Sequence, residues 1–113
     1  MDIIKAQKDI CEKYSSLYHE SPLFLKVGIS VNLKDGTYPI HGLRHPPQGD
    51  TTGWYIWAGE YSNDPNFFVP LHVEHLKEYR PEILPYLGLA PAYRFLIAPG
   101  YEDVWEDAEL LKL

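Results

Sequence analysis

Over residues 2–19 the apolar positions recur at steps of three and four. Ile3, Ile4, Ile10, Cys11, Tyr14, Leu17 and Tyr18 fall on one side, with Lys5, Lys8, Asp9, Glu12 and Lys13 between them. This pattern predicts an amphipathic helix over 2–19. Ser21-Pro22 is expected to end it, because proline lacks a donor and biases the preceding residue away from helix. The period then drops to two. In FLKVGISV (24–31), Leu25, Val27, Ile29 and Val31 alternate with Lys26, Gly28 and Ser30, the mark of a half-buried strand. Asp35-Gly36 suits a tight turn, so TYPIHGLR (37–44) reads as the return strand of a hairpin, with Pro39 at an edge or strand start. Residues 45–52 read as loop and TGWYIWAG (52–59) as a strand. Alternation places Trp54 and Ile56 on one face, and Tyr55 and Trp57 on the other. Two aromatics on the second face imply that both faces are covered, one of them by helices.

Further on, EYSNDPNFFVP (60–70) is expected to be loop, LHVEHLKEY (71–79) a helix, and PEILPYLGL (81–89) a second short helix with Pro81 in its first turn and Gly88 as its C-cap. YRFLI (93–97) is a strand and Pro99-Gly100 a turn. Residues 102–107 are a short strand or extended piece, and AELLKL is a helical tail. The order predicts one α+β domain over 1–113: a mostly antiparallel sheet with an N-terminal helix and a central helical pair.

Composition narrows the function. The chain has 113 residues and is 45% hydrophobic, enough for one core. No apolar run approaches the ~20 residues that span a membrane. The N-terminus lacks the apolar stretch and cleavage site of a secretory signal, which predicts a cytoplasmic protein. Cys11 is the sole cysteine, so an intrachain disulfide and a cysteine-based metal knuckle are excluded. It is expected as a half-buried helix residue. The net charge is −6, and the excess lies wholly in residues 51–113. Nucleic acid, which demands a positive patch, is an unsuitable partner, whereas a basic protein is a suitable one.

Catalytic patterns are weak. None of Ser15, Ser16, Ser21, Ser30 and Ser62 lies in a nucleophile elbow, and no glycine-rich phosphate loop is present. His72 and His75 are three apart and on a helix would share a face, a possible metal pair, but their spacing matches neither known zinc-protease order. His41 and His45 project to one side of a strand about 13 Å apart, too far to share an ion. No cofactor and no enzymatic activity are expected. The acidic stretch YEDVWEDAEL sets Tyr101 and Trp105 among Glu102, Asp103, Glu106, Asp107 and Glu109. Aromatic anchors among carboxylates suit a protein-binding surface, although Val104 and Trp105 would also serve as core residues of an edge strand. Trp57, Glu60, Tyr61 and Asp64 complete the candidate contact set, and exposed aromatics also allow a homodimer.

The ordered series GWYIWAGE, FFVPLHVEHL, PEILPYLGLAPAYRFLI and YEDVWED, over residues 52–111, resembles a small bacterial domain family. That family was first catalogued as a domain of unknown function. It was later grouped with predicted immunity proteins of polymorphic toxin systems, as immunity family thirty-three. The resemblance implies a non-enzymatic α+β protein that binds a cognate secreted toxin and keeps it inactive. Many such toxins are basic nucleases, which an acidic inhibitor would suit. The competing readings are a metal-binding domain using His72 and His75, and an interaction module unrelated to toxins.

Overall fold

The computed structural model describes residues 2–112; Leu113, the end of the expected helical tail, lies outside them. The N-terminal helix α1 spans Ile3–Lys13, capped by the Asp2 carboxylate, which accepts from the Lys5 N–H at 3.1 Å. It stops six residues short of the expected end at His19. Ser15 takes a left-handed φ of 60°, and the Ser16 and Ser15 amides return to the carbonyls of Cys11 and Glu12 at 2.8 and 3.3 Å. This paired return closes a helix. The apolar period runs on through Leu17 and Tyr18 although the backbone has already turned.

Six strands form one sheet: β1 (Lys26–Ser30), β2 (Ile40–Arg44), β3 (Thr51–Ala58), β4 (Phe68–His72), β5 (Tyr93–Ala98) and β6 (Tyr101–Glu106), in the order β4-β1-β3-β2-β5-β6. β1 and β3 are parallel, and every other neighbouring pair is antiparallel. The α+β architecture with a mostly antiparallel sheet is therefore as expected.

The hairpin between 24–31 and 37–44 does not form. After β1 the chain coils into a 3-10 turn, Val31–Asp35, that buries Leu33 completely. The Asn32 amide donates to the Ala58 carbonyl at 2.9 Å, and the Ala58 N–H donates to Ser30 Oγ at 3.2 Å. These bonds fasten the bend to the end of β3, and β3 occupies the place between β1 and β2. The expected helix over 71–79 is also corrected. Its start belongs to β4, followed by a 3-10 turn Val73–His75 and a single helical turn, α2 (Leu76–Tyr79). The Val73 and Glu74 amides donate to the Leu25 and Leu23 carbonyls at 2.9 and 3.2 Å, which pins this segment to the chain leading into β1. Pro81–Tyr86 is a 3-10 helix with Pro85 inside it, where a missing donor bars a regular α-helix. Gly88 is not a left-handed cap. It is buried, and a Cβ there would lie 2.9 Å from both Gln7 and Tyr18, so its role is close backbone approach.

One face of the sheet packs against α1 and the 3-10 helix 81–86. A register row runs across it through Val69, Ile29, Ile56, Gly42, Phe95 and Val104. The Phe95 ring lies over Gly42, while Trp54, Leu76, Ile83, Leu87 and Leu89 fill the space to the helices. Cys11 is fully part of this core, and its thiol donates to the Gly88 carbonyl at 3.1 Å.

Candidate functional site

Among the described residues the other face has no α-helix over it. Only the final 3-10 turn, Ala108–Leu111, lies against one end, with Leu110 buried and its carbonyl 3.0 Å from His45 Nδ1, so the expected second covering is confined to that end. Strand alternation sends every second side chain here. One row, Pro70–Gly28–Tyr55–Leu43–Arg94–Trp105, crosses all six strands, and the next, Trp57–His41–Leu96–Asp103, crosses four. Tyr101 follows on the same side of β6, in register with Ala98.

The aromatics on this face cover one another. Trp57 is 4% exposed because His41 stacks on it at 4.9 Å and the Tyr61 and Phe68 rings meet it edge-on at 5.4 and 6.1 Å. Phe67 packs on Tyr61 and Phe68, so the loop 60–66 is drawn onto the sheet by its own aromatic. The Trp57 indole N–H is buried with no acceptor among the described residues. Above these rings the exposed aromatic surface remains large: Tyr55 is 39% exposed, Tyr61 57%, Tyr101 54% and Trp105 37%. The Tyr55 ring leans over Gly28, where an added Cβ would meet it at 2.9 Å. Tyr55 stands between cavities of ≈ 300 and ≈ 280 Å³, one toward Phe68 and Pro70, the other toward His45 and Gln48.

Charge on the face is asymmetric. Its cations are engaged: Lys26 pairs with Asp50 at 2.9 Å, Arg94 pairs with Asp107 at 3.2 Å with its guanidinium 5.7 Å from the Trp105 ring centre, and Lys112, at the cavity beside Tyr55 and His45, pairs with Glu109 at 3.2 Å. His41 is held below its ordinary pKa by burial and by the charge of Arg94, so it is neutral at pH 7. Glu60, Asp64, Asp103 and Glu106 have no cation within ion-pair distance among the described residues.

The sequence-derived contact set is thus divided. Trp57, Tyr61, Tyr101, Asp103 and Trp105 come together on or over the open face, with Glu60 and Asp64 on the loop that carries Tyr61. Glu102 and Glu106 alternate to the helix side of β6. The Glu102 carboxylate accepts from the Tyr14 and Tyr86 hydroxyls and from Lys13 Nζ at 2.8 Å, so it ties α1 and the 81–86 helix to the sheet. Burial pushes its pKa up, but those three donors outweigh burial and the net shift is downward. The Tyr86 hydroxyl is pushed well above its ordinary range by burial and then by this carboxylate. Asp107 pairs with Arg94 and caps the final 3-10 turn through the Glu109 N–H. Sequence reasoning left His41, Leu43, Arg94 and Leu96 out of the set. The alternation that paired Tyr55 with Trp57, continued into β2 and β5, would have found them.

The His72/His75 pair is not on one helix: His72 ends β4, and His75 lies in the following turn near Glu74 and Glu78, at 3.7 and 3.8 Å. Their rings are 6.1 Å apart, and no three His, Cys, Asp or Glu residues among those described are placed to hold an ion together. Among the described residues, no helix is long and apolar enough to cross a membrane.

A family model described as the Imm33-like domain matches residues 6–107. The chain belongs to this Imm33-like family. The match agrees with the resemblance to immunity family thirty-three and starts well before residue 52, although it ends at 107 rather than 111. It takes in most of α1 and all six strands, so the whole open face lies within the Imm33-like domain. No curated protein and no solved structure matches the chain.

Proposed function

We propose that this Imm33-like domain is an immunity protein: it binds a cognate secreted bacterial toxin in the cytoplasm of the producing cell and holds it inactive by stoichiometric contact, without catalysis. The observation that carries the reading is a sheet face with no α-helix over it, within an immunity-family domain, that keeps four large aromatics partly exposed. Monomeric proteins seldom leave a wide apolar patch in water without a partner for it. Trp57, Tyr61, Tyr101, Asp103 and Trp105, with Glu60 and Asp64 at the rim, are the proposed contact residues; Glu106 points to the helix side and is left out of the set. Glu102 and Asp107, from the same sequence cluster, serve chiefly to hold the fold.

The test is co-expression with the toxin domain encoded beside this protein's gene. Restored growth together with a fixed-ratio complex, read by light scattering after gel filtration, is the expected result. Toxicity that persists with no complex formed overturns the proposal.

A further inference from the structure

We infer that the open face receives an arginine-bearing segment of the partner protein, seated across Tyr61 and Trp105 and met by Glu60, Asp64 and Asp103. The partner's identity as a toxin rests on the immunity reading; the chemistry of the segment does not.

Three observations converge on it. The cations on this face, Lys26, Arg94 and Lys112, are already paired, whereas Glu60, Asp64 and Asp103 at its margins have no internal cation among the described residues. Those carboxylates lie beside exposed aromatic rings at both ends of the face: Glu60 and Asp64 flank Tyr61, and Asp103 sits between Tyr101 and Trp105. A ring face next to a carboxylate suits a guanidinium, which stacks through its plane and donates through its edge. The protein already uses this chemistry once, with Arg94 held by Asp107 against the Trp105 ring. The two ends are three strand spacings apart, about 14 Å at roughly 4.8 Å each, within reach of one extended segment of about five residues.

The alternatives fit less well. A phosphate-rich partner would meet uncompensated carboxylates. A second copy of this chain on the same face would oppose Glu60, Asp64 and Asp103 to their own kind, with Lys26, Arg94 and Lys112 already engaged.

The three tryptophans make the test internal. Trp57 and Trp105 lie on the open face, and Trp54 is 1% exposed on the core face. The ¹⁵N-labelled protein is titrated with a synthetic peptide of alternating arginine and glycine, and the indole N–H signals are followed. The Trp57 and Trp105 signals are expected to move while that of Trp54 stays. The triple change Glu60→Lys, Asp64→Lys, Asp103→Lys is expected to weaken binding at least tenfold. The off-face pair Glu74→Lys, Glu78→Lys is expected to weaken it less than twofold. Equal losses in the two variants, or no movement at millimolar peptide, overturn the inference. If the triple variant unfolds, Glu60→Gln and Asp103→Asn carry the same comparison with shape conserved. Toxin binding that survives the triple change refutes this surface and leaves the immunity function standing. Peptide binding without any toxin partner does the reverse.

Discussion

Two rows of side chains cross the same six strands one residue out of step. On the helix side the row is Val69, Ile29, Ile56, Gly42, Phe95 and Val104; on the open side it is Pro70, Gly28, Tyr55, Leu43, Arg94 and Trp105. Each row holds one glycine with an aromatic ring laid over it. The Phe95 ring is enclosed by Trp54 and Tyr86, at 5.5 and 5.1 Å, and has nowhere to go. The Tyr55 ring meets Phe68 and His45 edge-on at 5.2 and 5.7 Å but stays 39% exposed, with cavities on either side into which it can shift. The same backbone thus builds a packed layer on one face and an adaptable one on the other, and the difference lies in what covers each ring.

The largest expected effect breaks the packed side. Trp54→Ala removes a fully buried indole whose N–H donates to the Leu87 carbonyl at 3.2 Å, and is predicted to cost about 3–5 kcal/mol in urea unfolding. Gly42→Ala comes next. Its Cβ would lie 2.1 Å from the trapped Phe95 ring, so a loss of about 1–3 kcal/mol is expected. Gly28→Ala on the open row meets a movable ring at 2.9 Å and is predicted to cost less than about 1 kcal/mol. Equal losses at the two glycines would refute the contrast between the faces.

Adjacent acids on β6 sharpen it further. The folded pKa of Glu102 is depressed, so its stabilising contribution is present above its unfolded pKa and is lost as pH falls through the folded value. Glu102→Gln is therefore expected to lower the thermal midpoint at pH 7, with the two curves converging in acid below about pH 4. Partner binding should be little changed. Asp103, one residue on and facing the open side, should show the opposite: an unchanged midpoint and weaker binding. Trp105→Ala is expected to cost little stability, within about 1 kcal/mol by thermal melting.

The parts of this division that sequence revealed were those governed by alternation. Trp54 and Ile56 against Tyr55 and Trp57 follows from strand geometry alone, and so does the strand containing Phe95. Alternation says nothing about which strands are neighbours. Asp35-Gly36 carries a hairpin signal, yet burial of Leu33 and the bonds from Asn32 and Ser30 to Ala58 divert the chain and admit β3. Coverage was equally invisible, because helices 71–79 and 81–89 were expected to be longer than the turns that form. The acidic run 102–109 looked like one surface, but a strand sends Glu102 and Asp103 to opposite sides. Arg44 left no sequence signal at all. It is 1% exposed, and its guanidinium donates to the carbonyls of His19, Glu20, Thr52, Leu87 and Leu89 at 2.8–3.2 Å. Burial lowers its pKa to about 10, which leaves it charged at neutral pH. Its partners come from three distant segments and all are backbone, so no residue pattern announces them.

The position of β1 also has a temporal side. β2–β3 and β5–β6 are local hairpins that can close soon after they leave the ribosome. β1 is made before any other strand, yet its neighbours are β3 and β4, and β4 ends at residue 72. Non-local and parallel pairings close slowly, because a long loop must be ordered before they are rewarded. The first strand synthesised is therefore expected to be among the last seated, and until then β3 presents a bare edge to any extended chain nearby.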